Sequence, residues 1–217
     1  MKRLLYVKAS PRGERSRSGA IADRLLDGLR EARPGLEVET LELFEADLPA
    51  FDREAIEGRY ARLVGGPVEP EQALAWGRLE EWGAHFLSFD AWLFAVPMWN
   101  FGVPYRLKQY IDVLTHPGIT FRNDLQGNVE GLAAGRTAII VAAGAMPIEA
   151  DGPLAHLDFQ LTYLQAWLGF IGVSDIHALR LAPTFGPVEA VDAVMDEAGQ
   201  RAERLARALA LGGAGID

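Results

Sequence analysis

The chain has 217 residues, 49% of them hydrophobic and 24% charged, and carries a formal net charge of −9. This size and composition predict one globular domain over residues 1–217, and the acidic charge argues against nucleic acid as a partner. With no cysteine, the chain forms no disulfide or thiolate metal site, so any redox chemistry needs a bound cofactor. No run of about 18 apolar residues and no apolar signal segment occur, so we expect a cytoplasmic protein without a membrane partner.

Strands and helices alternate along the chain, as judged from the spacing of apolar residues. Apolar runs and one alternating run predict five strands, at 3–8, 37–43, 91–96, 137–142 and 174–181. Helical spacing predicts helices at 18–32, 53–63, 71–87, 104–114, 153–170 and 187–211, while 120–136 is predicted to be a long loop. The second strand is rich in acids and is placed near a sheet edge. This alternation predicts an α/β fold whose parallel sheet is covered by helices on both faces.

Three loops follow the apolar strands that we place at the centre of the sheet. They span 9–18, 97–104 and 143–153. In a doubly wound sheet, ligands bind beyond the carboxyl ends of the strands, where the strand order reverses. These loops are therefore the first places to look for a ligand site.

The first loop has the composition of an anion site. It opens a helix, whose free N–H groups and dipole favour a phosphate, and hydroxyls at Ser10, Ser16 and Ser18 add donors. The first 17 residues also hold six of the 21 basic residues, including Arg17, against one acid. The alternative is that a serine only caps the helix and the arginines are solvated. Because no Gly-x-Gly-x-x-Gly or Walker pattern occurs, a mononucleotide fits better than a dinucleotide.

The second loop can hold a flat polar ring. Asn100 offers an amide donor and a carbonyl acceptor, and Trp99 and Phe101 offer aromatic faces. The loop between Pro97 and Pro104 also leaves backbone groups outside any strand ladder. The alternative is an ordinary loop with a stray asparagine. A phosphate at the first loop and a planar ring at the second together indicate flavin mononucleotide (FMN).

The chain resembles the FMN-dependent NADH azoreductases, which belong to the flavodoxin-like quinone reductases. The resemblance covers nearly the whole chain and rests on these segments: Pro-Met-Trp-Asn-Phe-Gly at 97–102, Leu-Lys-Gln-Tyr-Ile-Asp at 107–112, Gly-Ile-Thr-Phe at 118–121, Asp-Gly-Pro at 151–153 and Leu-Gly-Phe-Ile-Gly at 168–172. It implies a flavodoxin-like, doubly wound five-stranded parallel sheet of order 2-1-3-4-5. It also implies a homodimer with two FMN sites at the subunit interface, and reduction of quinones and azo compounds by NADH or NADPH.

The resemblance also implies which residues hold the cofactor. The phosphate loop maps onto Ser10, Ser16, Arg17 and Ser18. The ring-binding loop maps onto Pro97, Met98, Trp99, Asn100, Phe101 and Gly102. A third loop, where the family often has a Ser-Arg-Gly-Gly-like run, reads Ala143, Gly144, Ala145 and Met146 here. Backbone N–H groups around Asn100, Phe101 and Gly144 are the expected donors to the N5 and N1–O2 region of the flavin.

Flat substrates need aromatic walls, and five residues are candidates. They are Trp99, Phe101 and Phe121, with Trp167 or Phe170 contributed by a partner subunit. For Trp167 and Phe170, packing in the core is the alternative. Since the flavin carries the chemistry, no side chain is expected to be catalytic, and donor and acceptor should follow each other at one flavin face in a ping-pong sequence.

Two other protein classes share part of this pattern. A flavodoxin-type electron-transfer protein would share the phosphate loop and acidic surface but exchange electrons with a protein partner. A serine hydrolase is disfavoured because no Gly-x-Ser-x-Gly occurs. His85, His156 and His177 have no partners at metal-ligand spacing, and His116 ends a helix, where a histidine can complement the dipole, so no metal is expected.

Overall fold

The computed structural model describes residues 1–124, 126–148 and 151–211. In chain order the elements are β1 (Arg3–Lys8), α1 (Arg17–Ala32), β2 (Glu37–Glu42), α2 (Arg53–Leu63), α3 (Pro70–Leu87), β3 (Ala91–Pro97), α4 (Tyr105–Leu114), β4 (Phe121–Asn123), β5 (Val129–Gly131), β6 (Thr137–Ala143), α5 (Leu161–Phe170), β7 (Asp175–Leu181) and α6 (Val188–Ala210). Short 3-10 turns occur at Gly13–Arg15 and Ala155–Leu157.

Five parallel strands form the sheet, in the order β2-β1-β3-β6-β7. Counting only these strands, the order is 2-1-3-4-5, which confirms the expected topology. The acidic strand β2 lies at one edge, as its alternating pattern predicts. The strand order reverses between β1 and β3, so the loops that follow these two strands face each other at the carboxyl edge.

Side chains that alternate along the strands build a separate core on each face of the sheet. On β1, Leu4 and Tyr6 pack with α1 and α6, while Leu5 and Val7 pack on the opposite face. That opposite face is covered by α3, α4 and α5, represented by Phe86, Tyr110, Trp167 and neighbouring apolar residues. Helices on both faces confirm the doubly wound α/β class and fix the orientation of the loops at the carboxyl edge.

Two predictions of local structure are wrong. The segment 120–136 is not a plain loop, because β4 and β5 pair there as an antiparallel hairpin. The single helix predicted over 153–170 is a 3-10 turn followed by α5. The break falls at Asp158, whose carboxylate accepts hydrogen bonds from the backbone N–H groups of Gln160 and Leu161 and so caps α5.

No helix within the described residues combines the length and apolar character that crossing a bilayer requires. The cytoplasmic location stays a prediction.

Candidate functional site

The three loops singled out in the sequence meet at the carboxyl edge of the sheet. Each is joined to the next strand by a backbone hydrogen bond, so that their positions relative to one another are fixed. The bonds run from Ala9 N–H to Ala95 O at 3.0 Å, from Met98 N–H to Ala143 O at 2.7 Å, and from Gly144 N–H to Leu181 O at 2.9 Å.

The start of α1 carries a compact group of buried hydroxyls. Ser16 is the N-cap, with its Oγ accepting the Gly19 N–H at 3.2 Å and lying 3.2 Å from the Oγ of Ser18. Ser10 is also buried and accepts the Arg12 N–H at 3.3 Å. Within the described chain, the backbone N–H groups of Arg17 and Ser18 have no acceptor. The helix therefore presents two free N–H donors, its positive dipole end and the hydroxyls of Ser16 and Ser18 at one point, and the Ser10 hydroxyl lies in the loop that leads to it.

Below these hydroxyls, Tyr6 supports the first turn of α1. Its hydroxyl donates to the Gly19 carbonyl at 3.3 Å, and burial, helped by the charge of Asp23, raises the pKa of this phenol. The group therefore stays protonated and keeps donating at any physiological pH.

The side chain of Arg17 is engaged away from the helix start. Its guanidinium donates to the carbonyl oxygen of Thr184, in the segment between β7 and α6. Of the four residues predicted to bind an anion, the three serines have hydroxyls at or just before the start of α1. Arg17 offers its backbone N–H there, while its guanidinium contacts Thr184.

The second loop is a tight turn after β3, whose last residue is Pro97. Trp99 and Gly102 exchange both backbone hydrogen bonds at 3.0 Å, and the two central residues have left-handed backbones, with φ of 48° at Asn100 and 70° at Phe101. Positive φ at both central positions is the type I′ arrangement. In the described structure, the N–H groups of Asn100 and Phe101 have no acceptor, so the turn presents two neighbouring donors.

The third loop differs from the expectation at one donor. Gly144 was predicted to offer its N–H to a ligand, but that N–H is bonded to Leu181 O at 2.9 Å. Its neighbours Ala145 and Met146 are exposed, and their N–H groups lack acceptors among the residues described. Free donors therefore exist in this loop at Ala145 and Met146, which belong to the predicted run 143–146, whereas the N–H of Gly144 itself is not free.

Aromatic side chains surround the second loop. Trp99 and Phe101 are each 38% exposed, which leaves ring surface open at the rim. Phe44 lies behind them, with its ring centroid 5.7 Å from that of Trp99 and 5.5 Å from that of Tyr105. The rim therefore has the flat apolar walls that a planar ligand needs.

The other three predicted aromatics lie elsewhere in the chain. Trp167 is 5% exposed, packs against Phe86 and Phe94 and donates its indole N–H to Thr115 at 3.0 Å, which favours the core-packing alternative. Phe121 and Phe170 form an edge-to-face pair with centroids 4.8 Å apart.

That pair is remote from the Trp99–Gly102 turn of its own chain. Helix α5 begins beside this turn, where the Phe159 N–H donates to Phe101 O at 3.1 Å, and it is ten residues long and ends at Phe170. A helix of that length measures about 15 Å. Phe121 and Phe170 therefore do not join Trp99 and Phe101 in a single-chain pocket.

Residues 2–206 match a protein family described as having a flavodoxin-like fold. The FMN-dependent NADH:quinone oxidoreductase of Nitratidesulfovibrio vulgaris (strain DP4) is 42% identical over 95% of this chain and 99% of its own length. The chain belongs to this family of flavodoxin-like oxidoreductases. FMN-dependent NADH:quinone oxidoreductase 3 of Pseudomonas fluorescens is 36% identical over 97% of this chain and 98% of its own length.

A solved azoreductase from Bacillus anthracis str. Sterne has a related structure. Its TM-score is 0.86 at 25% identity, over 95% of this chain and 99% of that one. These likenesses confirm the family resemblance drawn from the segments around Trp99, Phe121 and Gly169. They also confirm the flavodoxin-like fold expected for such an oxidoreductase.

Three further residues that support the site are not among those predicted from the sequence. Thr184 bonds to the third loop through both its backbone N–H and its hydroxyl. Gln160 is fully buried and donates its side-chain amide to Val96 O at 3.0 Å. Phe44 backs the ring of Trp99. Phe44 comes just after a strand end, a position typical of site residues in this fold, so the sequence carries a signal for it. Nothing in the local pattern indicates a role for Thr184 or Gln160.

Proposed function

We propose that this chain is an FMN-dependent oxidoreductase that passes two electrons from NADH or NADPH to quinones or aromatic azo compounds. The observation that carries the proposal is the meeting of a hydroxyl-lined helix start and a donor-bearing aromatic turn at neighbouring strand ends. Near-full-length similarity to oxidoreductases with this named activity supports it.

The residues at the start of α1 fit the phosphate of FMN. The N–H groups of Arg17 and Ser18 and the hydroxyls of Ser10, Ser16 and Ser18 are buried or half-buried donors at the positive end of a 16-residue helix. A phosphate dianion there would accept hydrogen bonds from donors that otherwise lack acceptors. The fixed dipoles of the helix start would take the place of the water that solvates the free phosphate.

The residues of the other two loops fit the ring of FMN. The free N–H groups of Asn100, Phe101, Ala145 and Met146 would hold its polar edge, and Trp99 would cover its apolar part and exclude water. Bound FMN supplies hydride transfer and a store for two electrons. The fixed backbone donors favour negative charge on the ring edge after reduction, so no acid or base side chain is required.

Donor and acceptor would share the open face beside Trp99 and Phe101, each 38% exposed. Because one must leave before the other enters, we expect ping-pong kinetics, seen as parallel double-reciprocal lines with NADH and a quinone varied. Intersecting lines would contradict this order.

The test of the proposal is an absorption spectrum of the purified protein, followed by anaerobic addition of NADH. We expect a yellow protein that bleaches on NADH and recovers its colour on addition of a quinone. A colourless protein that takes up no FMN would overturn the proposal. FMN uptake without direct oxidation of NADH would instead indicate a flavodoxin-type electron-transfer protein that works with a protein partner.

We also propose that the chain acts as a homodimer with its sites at the subunit interface. Large apolar side chains are exposed near the carboxyl edge, including Phe159 at 60% and Phe185 at 82%. Phe170 is the last residue of α5, and Phe121 in β4 packs against it, so neither ring reaches its own chain's turn. A partner subunit is the route by which the two rings would line a site. Light scattering after size exclusion should give a mass of two chains, and a monomer active at the same specific rate would contradict this.

A further inference from the structure

Arg17 connects the start of α1 to a segment on the far side of the site. Its guanidinium donates to the carbonyl oxygen of Thr184, four residues before α6 begins. A cation in the first turn of a helix is disfavoured by the helix dipole, and an acceptor carbonyl offsets that cost. The contact therefore gives a structural reason for the position of this charge.

Thr184 passes the connection on to the third loop. Its backbone N–H and its hydroxyl both donate to the carbonyl oxygen of Gly144, at 2.8 and 3.0 Å. On the other side, the Gly144 N–H is bonded to Leu181 O. Gly144 is thus held at both its amide and its carbonyl, and the bonds lead from there back to α1 through Arg17.

This connection matters because the third loop has no polar side chain of its own at 143–146. Its sequence is Ala-Gly-Ala-Met, so only the backbone donors of Ala145 and Met146 can meet a ligand. Backbone donors act only where the backbone is fixed, and here the fixing bonds come from Thr184 and Leu181.

We propose that Arg17 and Thr184 are positioning residues, which hold the third loop in place against the phosphate-binding end of α1. The side chain of Arg17 then fixes the position of the third loop through Thr184 and does not bind the phosphate. The inference rests on the proposed FMN site, and it assigns the third loop's geometry to residues outside that loop.

The first experiment compares FMN with riboflavin, which lacks the phosphate. Arg17→Met should weaken the binding of both by a similar factor, about tenfold, and leave the ratio of their dissociation constants near the wild-type value. Ser18→Ala should change that ratio, because it removes a hydroxyl at the phosphate end. If Arg17→Met weakens FMN but leaves riboflavin binding unchanged, the guanidinium is a phosphate ligand and the proposal fails.

Thr184→Val tests the other half of the connection without altering charge. It keeps the side-chain shape and the backbone N–H but removes the hydroxyl bond to Gly144. We expect about threefold weaker binding of both ligands and a shifted flavin absorption band, with Thr184→Ser close to wild type. An unchanged spectrum and affinity in Thr184→Val would overturn the role of this side chain.

A second experiment uses the protein without flavin, so that it stands even if FMN is not the ligand. Hydrogen exchange at the amides of Gly144 and Thr184 should be about tenfold faster in Arg17→Met and Thr184→Val than in wild type. Ser88→Ala, which removes an exposed hydroxyl bonded to His85 O outside this loop, is the control and should leave those amides unchanged. Equal exchange in all four proteins would refute this role of Arg17 and Thr184. If the wild-type protein binds no FMN but the two variants still exchange faster than wild type, only the proposed function is refuted.

Discussion

At the scale of single residues, the turn after β3 stores backbone strain in two non-glycine residues. Asn100 and Phe101 have φ of 48° and 70°, a region that asparagine tolerates and that other residues with a Cβ disfavour. Asn100→Ala should therefore lower the free energy of unfolding by about 1 kcal/mol, while Asn100→Gly should cost much less. Denaturant titration of the two variants measures this difference.

The same pair of variants separates backbone from side-chain roles at Asn100. If the side-chain amide contacts the flavin, both variants weaken FMN binding equally. If asparagine is needed only for its backbone conformation, Asn100→Gly binds like wild type and Asn100→Ala does not. Wild-type stability in Asn100→Ala would show that the left-handed turn is not kept in solution.

His116 makes the stability of the protein depend on pH. It is 1% exposed, packed against Phe51 and Trp76, and neither ring nitrogen has a hydrogen-bond partner within the described chain. Burial and the nearby charge of Arg59 lower its pKa to about 4, although Asp112 acts in the opposite direction. The folded state therefore holds His116 neutral.

Because the unfolded chain takes up this proton near pH 6.5 and the folded chain only near pH 4, stability is lost as pH falls through that window. The loss should total about 3 kcal/mol at pH 4 relative to pH 7. His116→Leu should remove most of this slope in urea titrations, while His156→Gln, at an exposed histidine, should keep it. An identical slope in His116→Leu would refute the assignment.

At the scale of elements, the β4–β5 hairpin packs closely against the end of α5 because Gly131 and Gly172 have no side chains. A Cβ built on Gly131 would lie 2.1 Å from the backbone N of Gly172, where φ is +99°. Gly131→Ala must therefore push the hairpin away from the end of α5, and we expect a loss of about 2 kcal/mol in unfolding free energy. Gly35→Ala, with no atom within 4 Å of the added methyl, is the matched control and should be neutral. Equal midpoints for the two variants would contradict this contact.

The strands that the sequence predicts correctly are those whose apolar residues form a clear run. Apolar runs at β1, β3 and β6 are buried at every position except strand ends, so the hydrophobic pattern alone identifies them. The strands β4 and β5 have three residues each, mostly exposed, and carry no such pattern. They exist because their ends meet α5, a contact between distant parts of the chain that no local window contains.

The candidate site divides in the same way. Ser16 and the turn around Asn100 follow from local rules for helix caps and strand ends, and both were predicted. The use of the Gly144 N–H by Leu181, and the reach of Arg17 to Thr184, depend on β7 lying beside β6. Sequence spacing gives the loop but not which of its donors is left free.

At the scale of the whole molecule, the separation of Phe121 and Phe170 from the Trp99–Gly102 turn leads to a complementation test. One variant, Ser16→Ala with Ser18→Ala, lacks the hydroxyls at the start of α1. The other, Phe121→Ala with Phe170→Ala, lacks the aromatic pair. Each alone should form dimers of low quinone reductase activity. If each site combines the FMN loops of one chain with the aromatic pair of its partner, a mixed dimer contains one intact site.

Refolding the two variants together should therefore restore about a quarter of the wild-type activity, since half of the dimers are mixed and each has one working site. Refolding each variant alone is the control and should leave its quinone reductase activity low. If each chain built its whole site alone, the mixed dimer would hold one site without the hydroxyls and one without the aromatic pair, and activity would not rise. Activity measured against the ratio of the two chains distinguishes the outcomes, because only shared sites give a maximum at equal amounts.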